Sequence, residues 1–169
     1  MTVFCGIDPG ASTGGISFMM PNGNITAALP VIRDDGQAEI LDGNSLARLI
    51  VQMQPTVAVL EAAQSFPGQG VVSVFRYGQA YGTIIGVLEA CAVPIYKVAP
   101  AKWKRDLGLQ SPPKGLNSSK KTTWRKKESL RVATELFPEE ADQWRLIKEN
   151  HRAEALLIAH WGKCNHVHL

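Results

Sequence analysis

The sequence predicts an α/β fold, a mixed sheet flanked by helices in a single domain, and three observations carry that prediction. Two short apolar β-type runs, Val3-Phe4-Cys5-Gly6-Ile7 and Val57-Ala58-Val59-Leu60, have the length of buried strands, and each is followed directly by a carboxylate, Asp8 and Glu61. An Asn22-Gly23 pair lies between two further β-type runs, a strong hairpin signal. From Ser45 onward, segments with helical spacing alternate with strand-like ones.

The elements follow in order. After the first strand comes a Gly/Ser/Thr turn, Gly10 to Gly14, and then Gly15 to Met20 as a second strand. Ile25 to Leu29 forms the third, behind the turn at Pro21 to Asn24. Residues 33–43 are polar and read as a loop. Ser45 to Gln54 places Leu46, Leu49, Ile50 and Met53 at helical spacing, and Pro55 closes it. The strand ending at Glu61 comes next, followed by a loop with Phe66, Pro67, Gly68 and Gly70.

Val71 to Ala92 reads as a long helix carrying Gly78, Gly82 and Gly86 on one face. Each glycine costs about 1 kcal/mol against alanine, so something must approach that face closely, either the sheet beneath or the same helix of a second copy. Pro94 to Val98 is a further strand and Ala101 to Leu107 a short basic helix. Gly108 to Ser118 reads as a flexible connector, after which Ser118 or Ser119 caps a basic helix from Lys120 to Leu136. A short helical stretch from Pro138 and a last helix, His151 to Gly162, complete the chain.

At 169 residues the chain can bury one core without staples, and the expected division is one domain over 1–162 with a disordered tail at 163–169. No apolar run approaches the roughly 20 residues of a spanning helix, and no basic-then-apolar leader opens the chain. Three scattered cysteines, Cys5, Cys91 and Cys164, argue against a disulfide framework. A soluble protein of a reducing cytoplasm is expected. The net charge of +3 hides an asymmetry: between residues 97 and 131, eleven basic side chains face only Asp106 and Glu128, leaving that stretch at +9 and the remainder at −6. Such a segment suits a polyanion, because each neutralised phosphate releases counterions.

Asp8 and Glu61 stand where ligands gather in open α/β sheets, at the carboxyl ends of strands, so adjacent strands can aim both at one cation. A charge at the end of a buried strand needs such compensation. His151 and Glu154, three residues apart at the start of the last helix, share one of its faces. Together the four form a candidate divalent-metal site assembled from three segments. Phosphodiester hydrolysis needs an activated water and a stabilised leaving oxygen, which a pair of ions about 3.5–4 Å apart supplies. Carboxylates suit Mg²⁺, whereas an imidazole at His151 suits Mn²⁺ better or acts on the attacking water instead.

The order strand-strand-strand, helix, strand, helix, strand, helices is that of a ribonuclease-H-like domain. Gly6-Ile7-Asp8-Pro9-Gly10 with Thr13-Gly14, Leu60-Glu61 and Arg152-Ala153-Glu154-Ala155-Leu156 resemble the RuvC family of Holliday-junction resolvases. The likeness extends through Ser73 to Gly82 and Val98 to Lys104, and the stretch Pro67 to Val71 is closest to a bacteriophage-type branch. The resemblance implies a crossover junction endodeoxyribonuclease that binds Mg²⁺ or Mn²⁺, two ions per site, with Asp8, Glu61 and Glu154 as catalytic ligands. Many members carry an acid where His151 stands; some use histidine, which favours His151 over the neighbouring Asn150. A symmetric homodimer is also implied, one nick per subunit, with the glycine-faced helix as its interface.

Phe66 either stacks on an unpaired base, as the family's loop aromatic does, or anchors its loop in the core. Lys102, Lys104, Lys120, Lys121 and Arg125 are the candidate DNA contacts. Two other readings compete: an endonuclease acting on forks and flaps, and a phosphate-binding fragment of the actin and sugar-kinase type. The latter requires a second domain of similar size, for which the chain has no room. Cys164, His160, His166 and His168 match no standard zinc spacing.

Overall fold

Alternation along the first strand, β1 (Phe4–Asp8), divides the core in two: Cys5 and Ile7 are buried on one face and Phe4 on the other. The computed structural model describes residues 2–10, 12–33, 39–63 and 68–167. β2 (Gly15–Met20) and β3 (Gly23–Ala28) extend the sheet as a meander, with Met20 opposite Gly23. The hairpin loop is therefore Pro21-Asn22, and Gly23, at φ 128°, opens β3.

Residues 33–43, expected as loop, contain a strand. Val31–Ile32 (β4) pairs antiparallel with Ile40–Leu41 (β5), and Leu41 is drawn into the core. The brevity of this apolar pair hid it from periodicity. Asp42 then caps α1 (Gly43–Met53) by accepting from the backbone N–H groups of Asn44 and Ser45, and Gln54 ends it in the left-handed region.

β6 (Val57–Glu61), α2 (Val71–Ala90), β7 (Ile95–Val98) and α3 (Pro100–Asp106) follow. β6 runs parallel to both β1 and β7, giving a five-stranded sheet in the order β3-β2-β1-β6-β7. This mixed sheet with helices on both faces is the predicted fold class. α4 (Ser118–Leu136) begins two residues earlier than expected, and its cap is Asn117 rather than a serine: Asn117 Oδ1 accepts from the Lys120 N–H. The start of the connector before it is tied down: the Gln110 N–H donates to Glu128 Oε1 and the Leu109 N–H to the Lys104 carbonyl. Two 3₁₀ segments, Pro138–Trp144 and Ile147–Glu149, lead into α5 (Asn150–Cys164). Val167, beyond that helix, is also buried.

α1 and α2 cover the face of Cys5, Ile7, Ala58 and Leu60, whereas α3, α4 and α5 cover the face of Phe4, Val57 and Val59. α5 lies hard against the sheet. A Cβ on Gly6 would overlap the Ala155 carbonyl oxygen, and one on Gly15 that of His151, so only glycine lets this helix approach β1 and β2.

Candidate metal and nucleic-acid site

Strand parity aims both strand-end acids the same way. Asp8 follows Phe4 and Gly6, and Glu61 follows Val57 and Val59, so both belong to the face on which α5 packs. The parallel register sets Ile7 beside Leu60, which brings the two strand ends level. The glycine contacts place the first turns of α5 against β1 and β2, which brings Glu154, 8 % exposed, to the same place.

Three carboxylates thus come together at the carboxyl end of the parallel strands, and two of them accept side-chain hydrogen bonds. Glu61 Oε2 accepts from Trp103 Nε1 at 2.7 Å. Glu154 Oε1 accepts from Ser129 Oγ at 2.7 Å and faces Lys104 Nζ at 3.5 Å. Burial pushes the Asp8 carboxyl well above the ordinary carboxylate range, Glu154 and Glu61 add to that, and Lys104 and Lys126 oppose it. Burial likewise raises Glu61, against Lys104 and the Trp103 hydrogen bond. The Tyr77 hydroxyl, on α2, is pushed up to about 12 by burial and then by Glu61 and Asp8, so α2 also faces the cluster.

His151 stands on the first turn of α5, half-buried, and burial lowers its pKa and favours the neutral imidazole. The side-chain charges acting on it are Arg152, Glu149 and Lys126, rather than the three acids. Among the described residues neither ring nitrogen finds a hydrogen-bond partner of good geometry, although the Lys148 backbone lies near enough to raise the pKa against burial.

The donor chemistry of the three acids fits a hard divalent cation: crowded carboxylates, short of countercharge, in a partly desolvated place. Trp103, Ser129 and Lys104 contact Glu61 and Glu154, and among the described residues no group of three His, Cys, Asp or Glu side chains forms a cluster that could hold a metal ion.

The candidate DNA contacts divide. Lys104 points into the acid cluster. Lys102 is engaged elsewhere, 3.1 Å from Asp106 Oδ2 and 5.5 Å from the Trp161 ring centre. Arg125 lines a cavity of about 600 Å³ between α3 and α4 together with Lys104 and Arg105, while Lys120 and Lys121 lie on the first turn of α4. Phe66 lies outside the described residues. Among the described residues nothing lies within 4 Å of a Cβ placed on Gly78, Gly82 or Gly86, so the sheet beneath is not what they accommodate. Sequence reasoning missed Trp103, Ser129, Lys126 and Tyr77. Only Trp103 carried a signal, as a tryptophan inside a basic helix directly after a strand.

No protein-family model matches the chain. Over 107 residues it is 32 % identical to the chloroplastic Holliday junction resolvase MOC1 of Chlamydomonas reinhardtii, covering 62 % of this chain and 11 % of that protein. The chain thus spans about a tenth of the length of that relative. Among solved structures it is similar to Thermus thermophilus RuvC in complex with Holliday junction substrate, with a TM-score of 0.65 and 16 % identity over 98 % of this chain and 96 % of that one. It is similar also to the yeast mitochondrial Holliday junction resolvase Ydc2, with a TM-score of 0.55 and 15 % identity over 95 % and 77 %. These likenesses establish the fold: the chain has the RuvC-like, ribonuclease-H-like architecture of a five-stranded mixed sheet flanked by helices.

Proposed function

We propose that the protein is a divalent-metal-dependent DNA endonuclease that resolves four-way junctions by paired symmetric nicks. The observation that supports this most is the meeting of Asp8, Glu61 and Glu154, drawn from β1, β6 and α5, beside lysines and at the strand ends of a RuvC-like sheet. Two of the solved structures with this fold contain Holliday junction DNA. Among the described residues no helix is long and apolar enough to cross a membrane.

In this reading Asp8, Glu61 and Glu154 would hold Mg²⁺ or Mn²⁺, two ions per site. When bound, the ions supply an activated water and neutralise charge on the leaving 3′ oxygen. Lys104 is released from Glu154 to face the scissile phosphate, where a fixed cation stabilises the charge that develops. Lys126 holds positive potential over the same cluster. Arg105 and Arg125, across the cavity, receive the adjoining backbone phosphates, with Lys120 and Lys121 extending the track. His151, kept neutral by burial, is available as a nitrogen ligand or as the group that takes the proton of the water.

Two equivalent strands of a junction require two such sites, and the open glycine face of α2 is the surface we assign to a second copy. We keep the bacteriophage-type branch, on the stretch Pro67 to Val71, and with it the cytoplasm of a bacterium or an infected cell. The test is cleavage of fixed and mobile four-way junctions beside a fork, a flap and plain duplex, with Mg²⁺ and with Mn²⁺. Paired nicks confined to four-way substrates are expected. Equal cutting of fork and flap would make it a general branched-DNA nuclease, and no metal-dependent cutting of any substrate would overturn the reading.

A further inference from the structure

We propose that Trp103 is a positioning residue for Glu61, fixing through its indole N–H the orientation in which that carboxylate enters the acid cluster; the proposal rests on the nuclease reading above. α3 starts beside Glu61 because Val98, the last residue of β7, pairs with it, and the Ala62 N–H donates to the Val98 carbonyl at 2.8 Å. One turn later Trp103, fully buried, turns its single donor onto Glu61 Oε2 at 2.7 Å, bridging residues 42 apart in sequence. An aromatic needed only to fill space would not require the N–H, and a buried indole N–H demands a partner. Here the partner is a candidate ligand.

The helix that carries Trp103 is itself clamped to the element that carries Glu154. Asp106 Oδ2 accepts from Trp161 Nε1 on α5 at 3.0 Å and from Lys102 Nζ at 3.1 Å. Lys104, the next residue after Trp103, lies 4.9 Å from the Trp103 ring centre and 3.5 Å from Glu154 Oε1. Trp103 is therefore fixed relative to both acid-bearing elements. Glu61 and Glu154 carry like charge and repel, so an unrestrained Glu61 side chain would rotate away. A donor on Oε2 opposes that, and groups that orient metal-binding carboxylates typically change metal affinity about 10–100-fold when removed.

The experiment measures Mg²⁺ binding calorimetrically and follows the tryptophan indole N–H resonances by NMR, using wild type, Trp103→Phe, Glu61→Gln and, as a control for loss of a remote buried indole hydrogen bond, Trp144→Phe, whose N–H goes to Thr134. Four tryptophans give few resonances to assign. The expected result is a Trp103 resonance displaced in Glu61→Gln and on addition of Mg²⁺, and a Mg²⁺ dissociation constant raised on the order of tenfold in Trp103→Phe. Trp144→Phe binds like wild type, and junction cleavage by Trp103→Phe recovers to within a few-fold at saturating Mg²⁺.

A folded Trp103→Phe that binds Mg²⁺ as wild type does overturns the proposal and leaves the nuclease reading standing. A wild type that takes up no Mg²⁺ overturns both. If Trp103→Phe does not fold, the Trp103 resonance in wild type and Glu61→Gln decides, and indifference to Glu61→Gln overturns the proposal.

Discussion

Glycines crowd both large helix contacts of this protein, and they do opposite things. Where α5 meets the sheet, Gly6, Gly15 and Gly162 remove side chains that would collide with Ala155, His151 and Val59, and the space they vacate is filled. Along α2, Gly78, Gly82 and Gly86 vacate space that none of the described residues fills. The same residue type reports close packing on one side of the sheet and an unfilled face on the other. The difference follows from what each helix carries. α5 carries Glu154 to the strand-end acids and packs directly on β1 and β2, whereas α2 anchors through Ala80, Ile84 and Leu88 and turns its glycines away from that contact.

The α5 side is broken most severely at the acids themselves. Asp8→Asn keeps the shape of the side chain but removes the charge that draws a cation, and catalytic ions supply several kcal/mol of charge stabilisation. The expected outcome is a loss of junction cleavage on the order of a thousandfold, about 4 kcal/mol, with unchanged circular dichroism. Wild-type cutting by Asp8→Asn would detach the acid cluster from the chemistry.

The close approach is next. Gly6→Ala places a Cβ against the Ala155 carbonyl and 2.5 Å from the Ala159 backbone nitrogen, and backbone cannot step aside as a side-chain tip can. Overpacking of this type costs about 1–3 kcal/mol. Denaturant melts should show that loss together with weakened metal binding, because the helix that retreats carries Glu154. A stability loss with untouched metal affinity would mean that the distance of α5 from β1 is not what assembles the site.

The acids also set a pH signature. Asp8 and Glu61 have raised pKa values in the folded protein, so just above the ordinary carboxylate range the folded chain binds more protons than the unfolded one. Their contribution is present at low pH and is lost as pH rises through that window. Asp42, Asp106 and Glu128 are shifted the other way, but equally in wild type and Asp8→Asn. In chelator, the melting temperature of Asp8→Asn relative to wild type should therefore climb as pH rises from about 4 toward neutral. Saturating Mg²⁺ should narrow the gap, since it stabilises the folded wild type by mass action. A difference that stays flat with pH would show that Asp8 is not the strained member of the cluster.

The strand-end acids were legible in the sequence because Asp8 and Glu61 each follow directly on a short apolar run, and ligands of open α/β sheets gather at the carboxyl ends of strands. Glu154 was legible from helical spacing. What could not be read was the restraint on each. Trp103, Ser129 and Lys126 come from α3 and α4, and no local pattern records that these helices pack over the strand ends. The β4–β5 pairing was lost because two-residue strands are shorter than any period. The glycines of α2 were visible as one face, but only packing could separate the two occupants that the sequence allowed.

That separation gives the smallest and most discriminating effect. In an isolated chain Gly82→Ala meets nothing within 4 Å, so the only consequence is the propensity gain of a helix interior, about 0.5–1 kcal/mol of added stability. If two copies press their α2 faces together, the same methyl group intrudes between them and weakens association. The expected outcome in sedimentation is therefore a variant whose dilute, dissociated form melts higher than wild type and whose self-association is weaker. Gly6→Ala, on the other face, should lower stability without this gain at any concentration. A Gly82→Ala protein that melts higher and associates as strongly as wild type would remove α2 from the interface and leave its three glycines without a partner. The contrast between the two sides of the sheet would then rest on packing within one chain, with filled space under α5 and tolerated gaps along α2.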